Sequence, residues 1–450
     1  MSSKLLKTSL AILPLTISLN LAAKGKDPLT GQQWHLKNNG QKAFSKSSGV
    51  KNSDLNVRNA HKRGVKGQGV KVTVIDTGVQ IEHKDLAANI TTGSRNLLDG
   101  GNNPVDTNGH GTAVARIIAA VGYNNEGVRG IAPSTKLNGF NFLSEQNLTS
   151  HLASHGESAG TKDTNVFNQS YGGGDIFPRA YDVENDFELA IREASMQRVS
   201  MTNNNGRGAA FVKSAGNGYQ WFRYGGRYAI LPSNYFTAAE DGELRNHGMP
   251  MENSNAEFAD SNFWNIVVSA FNASNKLSSY SSVGSNVFMT ATGGEFGEDQ
   301  PAMVTVDLMG CDEGSNTTNE DATNSLHGGS KRDPNCDYTS VMNGTSSAAP
   351  SMSGAIAMVM SANKNITARD AKHILAKTAG RVDGKNKGVA LPFTDADGNT
   401  ATYQAIDDWK KNAAGYNYHM FYGLGKPNVT KAVNMAKRKG KKRYKKLPKL

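Results

Sequence analysis

Beyond its first two dozen residues this chain has no apolar run approaching the ~20 residues that a membrane-spanning helix requires. It has no internal repeat either, which removes solenoids and propellers. Cysteine is scarce, Cys311 and Cys336 being the only two. They bracket a polar stretch rich in Asn, Asp, Ser, Thr and Gly, and in an exported chain such a pair is expected as a disulfide rather than as metal ligands or a nucleophile. Closing that loop is worth roughly 3 kcal/mol in the chain-entropy model. Acids are missing from the C-terminal end, where Lys437, Arg438, Lys439, Lys441, Lys442, Arg443, Lys445, Lys446 and Lys449 supply nine positive charges. The chain as a whole carries +11, so about +2 remains for everything else. No basic surface on the folded body is implied, and nucleic acid is not expected as a partner. The tail, 437–450, reads as a solvated, disordered extension, with docking at an acidic surface or an anionic membrane as the alternative.

What is present points to an enzyme-sized globule. The 450 residues, 37% hydrophobic and 20% charged, can bury a large core, and one α/β domain of roughly 300 to 400 residues would use most of them. The 48 glycines suggest many tight turns and close backbone approaches. At the start, Lys4 and Lys7 precede an apolar stretch from Leu10 to Leu21, broken by Pro14 and small polar residues and followed by Ala22 and Ala23. This is the pattern of a cleavable signal peptide over 1–23, and hence of a secreted chain, extracellular or periplasmic. An uncleaved anchor is the alternative.

From residue 66 onward β-like runs alternate with helical patterns. Val70 to Asp76 reads V-K-V-T-V-I-D, a strand delivering an acid to a turn. In His110 to Val121, apolar residues at 113, 114, 117, 118 and 121 follow helical spacing, which puts the histidine at the start of a buried helix. Val166 to Tyr171, Ala209 to Ala215 and Trp264 to Ala270 read as strands, with a helix near Val183 to Gln197. Thr345 to Ala362 reads as a long small-residue helix with Ser346 at its mouth, and Pro350 is expected to be tolerated in its first turns. Thr367 with Asp370 forms a cap-like pair opening a further helix. The alternation predicts an α/β fold, a doubly wound, mostly parallel central sheet with helices on both faces. Ligands in such sheets sit at the carboxyl ends of the strands.

Four residues in this frame carry chemistry. Hydrolysis by a serine needs a nucleophile, a base, an orienting carboxylate and donors for an oxyanion. Asp76, His110, Asn217 and Ser346 supply those types in the contexts V-I-D-T-G, N-G-H-G-T-A-V-A, S-A-G-N-G and N-G-T-S-S-A-A-P. Each has a bland reading alone: a turn acid, a structural histidine, a left-handed turn residue, a helix cap. Ser347 would project about 100° around the helix from Ser346 and is a poor substitute. The G-x-S-x-G elbow of α/β-hydrolases is not at Ser346, which argues against an esterase of that kind.

The four contexts, in that chain order, resemble the subtilase family, and within it the kexin and furin branch. The likeness runs from Asp27-Pro28 and Gln32-Gln33-Trp34-His35-Leu36 through Asp54-Leu55-Asn56-Val57 and the four motifs to Tyr422-Gly423-Leu424-Gly425. It implies a catalytic domain over 24–436, a serine-type endopeptidase that hydrolyses peptide bonds, and a subtilisin-like fold. A fold retained without turnover is the alternative reading. The resemblance also implies structural Ca²⁺, held by Asp27 and Asp85 with oxygens from Val121, Asn125, Val128 and Gly130, and a weaker second ion near Asn96, Asp99 and Asn102. Ser170, Tyr171 and Gly172 would bind the substrate backbone as an added strand. Asp175 matches one of the acids with which that branch selects Lys or Arg before the scissile bond. The partner acid is absent, with Tyr228 in its place, and Thr77 stands where another acid is usual, so a broader preference is the alternative. The core begins almost directly after the signal peptide, with no folding propeptide evident, and the β-rich P domain of the branch is not found. Folding is therefore expected to be unaided or to rely on a separate chaperone.

Overall fold

The computed structural model of the chain describes residues 25–172, 182, 184–219, 222–224, 227–229, 248–257, 262–318 and 322–438. The signal-peptide reading of 1–23, Asp175 and most of the basic tail lie outside the described residues.

Six parallel strands form the central sheet. They are β1 (Lys71–Ile75), β2 (Lys136–Phe140), β3 (Val166–Gln169), β4 (Ala210–Ser214), β7 (Asn265–Phe271) and β8 (Val287–Thr292). Their order across the sheet is β2-β1-β3-β4-β7-β8. Between β4 and β7 lies a hairpin of β5 (Phe222–Tyr224) and β6 (Arg227–Ala229). Further antiparallel pairs are β9 (Met303–Val306) with β10 (Tyr338–Met342), β11 (Val389–Thr394) with β12 (Thr400–Ile406), and β13 (Lys410–Lys411) with β14 (Asn417–Tyr418).

The strands have period-two side-chain alternation, and both faces are apolar. Val72, Val74, Val166 and Val212 point into one core, whereas Ile75, Phe167 and Phe211 point into another. The first core is closed by α2 (His110–Ala119) and α5 (Thr345–Ser361), the second by Met196 and Val199 of α4 (Phe187–Gly206). Helix α5 contributes Ala348, Ala349, Met352, Ala355, Ile356 and Val359, all fully buried. Its small residues let it lie close under the sheet. Shorter α1 (Arg58–Lys62) and α3 (Leu148–Leu152), then α6 (Ala368–Thr378) and α7 (Val429–Arg438), complete the helices. Thr367 and Asp370 cap α6 reciprocally. Helix α7 extends through Lys437 and Arg438, the first two basic residues that the sequence pattern assigns to the tail.

Two local departures from expectation matter for the site. Strand β2, K-L-N-G-F, carries Asn138-Gly139, a turn signal, yet Asn138 spends its amide on Gly93 and Gly160 carbonyls and its oxygen on Thr73. Neighbouring loops thus hold an unpromising sequence at the sheet edge. Pro350 is the sixth residue of α5, beyond the positions where a missing N–H is free of cost. It cannot donate to the Ser346 carbonyl, so the turn bearing Ser346 must be held from outside the helix.

Strand order reverses beside β1, since β2 pairs on one side of it and β3 on the other. Open α/β sheets bind ligands at such a switch point, and Asp76 is the residue that follows β1.

The cysteines are joined, Cys311 to Cys336, closing a loop between β9 and β10.

Candidate active site

Asp76, fully buried, leaves β1 and turns toward α2. His110 is the first residue of that helix, and its Nδ1 lies 2.6 Å from Asp76 Oδ1. The same oxygen accepts the Thr77 amide at 2.8 Å. Asp76 Oδ2 is buried with no partner among the described residues. The imidazole is 28% exposed, so one edge meets the carboxylate and the other meets solvent.

The mouth of α2 is held by Asp106, which belongs to none of the four motifs. Asp106 takes the amides of Asn108, Gly109 and Thr112, the Thr112 hydroxyl and the Thr77 hydroxyl. Thr77 Oγ1 in turn accepts the Gly111 amide. Gly109, at the N-cap with φ 87°, has no side chain for capping, and Asp106 supplies that function from outside. Its signal in the sequence was the run D-T-N-G-H-G, an acid placed to gather successive amides. The Thr77 that replaces a family acid therefore works as a hydrogen-bond relay.

Ser346 is the second residue of α5. Gly344 occupies the N-cap, so the serine hydroxyl is not spent on capping and instead donates to the Ser170 carbonyl at 2.9 Å. A hydroxyl has one proton, so in this rotamer Ser346 does not donate to His110. Its backbone N–H belongs to the first turn and has no carbonyl four residues back. Ser347 is fully buried and donates to the Asn343 carbonyl, which removes it from the chemistry.

Asn217 follows β4 across Ala215 and Gly216. Gly216, at φ 98°, takes the left-handed turn position, leaving Asn217 outside the left-handed region. The Thr345 amide and hydroxyl both donate to Asn217 Oδ1, at 2.9 and 3.0 Å. This fixes the carboxamide flip and leaves Nδ2 as the donor. His110, Asn217 and Ser346 line one cavity of about 310 Å³, together with Asn108, Asp307 and Thr339. Asp307 was not anticipated. Its carboxylate accepts the Leu308, Ser315 and Asn316 amides, and burial, outweighing those bonds, pushes it up to about 6.

On the opposite side, Ser170, Tyr171 and Gly172 continue from β3. The Tyr171 carbonyl accepts from Lys213 and, at 3.1 Å, from Ser214. Two buried acids stand behind this region. Glu257 pairs with Lys213 at 3.2 Å and crowds Gly172, and Glu252 crowds Gly216 and Gly218.

Comparison with known proteins places the chain. The model of the subtilase family matches residues 67–414, and the chain belongs to that family. It is 44% identical over 418 residues to the Aeromonas extracellular serine protease of Aeromonas sobria, covering 92% of this chain and 64% of that protein. The crystal structure of the Aeromonas sobria serine protease in complex with its chaperone superposes with a TM-score of 0.83 at 43% identity, over 92% of this chain and 67% of that one. More distantly, the dibasic-processing endoprotease of Schizosaccharomyces pombe is 26% identical over 415 residues, 91% of this chain and 46% of that protein. The kexin-like likeness is thus real, though the chain spans under two thirds of these curated relatives.

Subtilases commonly bind calcium, but the two carboxylates expected to hold it are engaged by other groups. The Asp27 carboxylate accepts the Tyr123 and Asn124 amides and the Arg129 guanidinium, whose Nη2 lies 2.6 Å away. Asp85 accepts Asn124 Nδ2 and the Val128 amide, with Arg116 at 3.5 Å. Asn125 Oδ1 takes the Lys26 amide. Calcium needs six to eight converging oxygens, whereas both carboxylates here are taken up by N–H donors, with a guanidinium beside each. The second location is equally self-satisfied, Asn96 Nδ2 donating to Asp99 Oδ2 and Asp99 Oδ1 taking the Gly101 amide, with Asn102 not engaged. No group of three His, Cys, Asp or Glu suited to a metal occurs among the described residues.

Burial pushes His110 down, but the Asp76 charge and hydrogen bond, aided by Asp106, outweigh it and raise the imidazole above its ordinary value. A raised folded pKa means that the ion pair adds stability in full below the unfolded value of about 6.5 and loses it as pH rises through the folded one. The neutral base appears over that same rise. Activity measured as kcat/KM against pH is therefore expected to climb with a midpoint above about 6.5; a midpoint below it would contradict the pairing. A second outcome follows from Gly111, where a Cβ would strike the Gly78 carbonyl and stand 2.9 Å from Asp76 Cβ. Gly111→Ala should displace His110 from Asp76 and lower kcat by about 10²-fold with the fold intact by circular dichroism.

Proposed function

We propose that the chain is a secreted serine endopeptidase with Asp76, His110 and Ser346 as its triad and Asn217 as oxyanion donor. The observation that carries this reading is the 2.6 Å contact of His110 with a buried Asp76, on a cavity shared with Asn217 and Ser346. In the reaction the Ser346 hydroxyl swings from the Ser170 carbonyl to His110 Nε2, which takes its proton as the oxygen attacks the peptide carbonyl. Asp76 keeps the imidazole in the tautomer with its proton on Nδ1 and stabilises the charged ring. Asn217 Nδ2 and the Ser346 N–H meet the developing oxyanion, each such donor being worth about 10² to 10³ in turnover, a figure taken from subtilisin. His110 then returns the proton to the leaving amine as the C–N bond breaks, and water, deprotonated in its turn by His110, cleaves the Ser346 ester to release the acid and restore the hydroxyl.

The domain division carried with this reading is a signal peptide over 1–23, the peptidase over 24–436 and a basic tail over 437–450. Secretion is supported by the extracellular relative, and a separate folding chaperone by the relative crystallised with one. No catalytic role is given to calcium. The substrate backbone would pair along 170–172, and its preceding side chain would enter between that segment and 215–217. A preference for Lys or Arg there is supported by the carboxylate of Glu252 behind Gly216 and Gly218, with Asp175 as a second acid, whereas the Glu257 charge is already met by Lys213.

Two experiments test this. Ser346→Ala should lower kcat by about 10⁶-fold on a peptide substrate, as in subtilisin, and abolish labelling by a phosphonylating serine reagent; an equally active variant would sink the assignment. A peptide-library profile should favour Lys and Arg over Leu, and Glu252→Gln should cut that ratio by roughly tenfold, about 1.4 kcal/mol. Equal cleavage after Leu and Lys by the parent would refute the basic preference alone.

A further inference from the structure

The cluster beside the active-site helix is unusual in its charges. Arg116 lies on α2, six residues after His110, and its guanidinium is fully buried. Its nitrogens have no hydrogen-bond partner among the described residues, and its nearest charge is Asp85 Oδ2 at 3.5 Å. Arg129, on the loop that follows α2, grips Asp27 through Nε at 2.7 Å and Nη2 at 2.6 Å. Both carboxylates are fully buried. Two anions therefore face two fixed cations, and the cluster is electrically closed. Burial pushes Arg116 down to about 9, against the pull of Asp85, so it remains a cation at neutral pH.

We infer that Arg116 and Arg129 occupy the charge position a calcium ion would hold between Asp27 and Asp85, so that this cradle needs no metal. The cluster ties three stretches to α2: the chain start through Asp27, the loop after His83 through Asp85, and the 121–130 loop, whose amides cap both acids. An exchangeable ion would do this by collecting oxygens. Here backbone N–H groups and the Arg129 fork collect the carboxylates instead, with the Arg116 charge 3.5 Å from Asp85, and a dication entering beside two guanidiniums would be repelled at close range. The arrangement is independent of the peptidase reading, since it concerns what holds α2 in place rather than what its first residue does.

The test uses the purified chain and thermal unfolding in excess EDTA or excess CaCl₂. For the parent, the two midpoints should agree. Arg116→Met leaves Asp85 buried without its cation, so its midpoint in EDTA should fall by about 5–10 °C, and calcium should recover part of that fall. Arg116→Lys, which keeps a charge, should fall less. The inference is overturned if chelation lowers the parent midpoint and Asp27→Asn removes that response, because the ion would then be bound at Asp27. It is overturned equally if Arg116→Met melts with the parent in EDTA, an outcome readable even should the Asp27 variant fail to fold.

Discussion

A carboxylate enclosed at the end of a buried strand is costly unless something compensates its charge. Asp76 has one oxygen satisfied by its neighbour's amide and by His110, and the other satisfied by nothing among the described residues. The imidazole is therefore held as much by the acid's need as by its own. The first turn of α2 must stand within contact of β1 for this to occur, and that requires Gly111, which lets the helix mouth approach the Asp76 turn. Asp106 and Thr77, bonded to each other, then lock the approach by accepting the amides of Asn108, Gly109, Gly111 and Thr112.

The serine side is built on the opposite logic. Helix α5 is buried nearly all round, so its position is set by packing against the sheet rather than by polar contacts. Pro350 withholds the hydrogen bond that would tie the Ser346 carbonyl into the helix. The turn is instead anchored through Thr345 to Asn217, across from β4. One threonine thus orients the Asn217 carboxamide and anchors the turn bearing Ser346, so the Asn217 Nδ2 and the Ser346 N–H are positioned by the same residue.

Most of this frame was legible because it rests on local patterns. The strand ending in Asp76, the helix opening at His110, the apolar α5 and the Thr367–Asp370 cap all appear where periodicity and capping place them. What escaped was written in tertiary contacts. Strand β2 carries a turn dipeptide that only its neighbours overrule. Asp106 looks like one more loop acid until its amides are seen. Matching Asp27 and Asp85 to a ligand pattern likewise says nothing of Arg116, which helical periodicity places on α2 without revealing what it faces. Residue types that surround a cation are the same types that surround a guanidinium.

The two acid clusters along α2 divide their work by how completely their lone pairs are filled. Asp27 and Asp106 are saturated with N–H donors, and saturated carboxylates fix geometry without chemistry to spare. Asp76 is left short by one oxygen. Buried groups that lack a partner demand an explanation in function or strain, and the proposed role of His110 offers one. Were His110 to accept a proton, the positive charge would arise next to the single anion in the cluster that is not already neutralised by a cation or by several donors. Filling Asp76 Oδ2 with another donor would relieve the folded state and weaken that response, so the unsatisfied oxygen and the nearby saturated ones are parts of one arrangement.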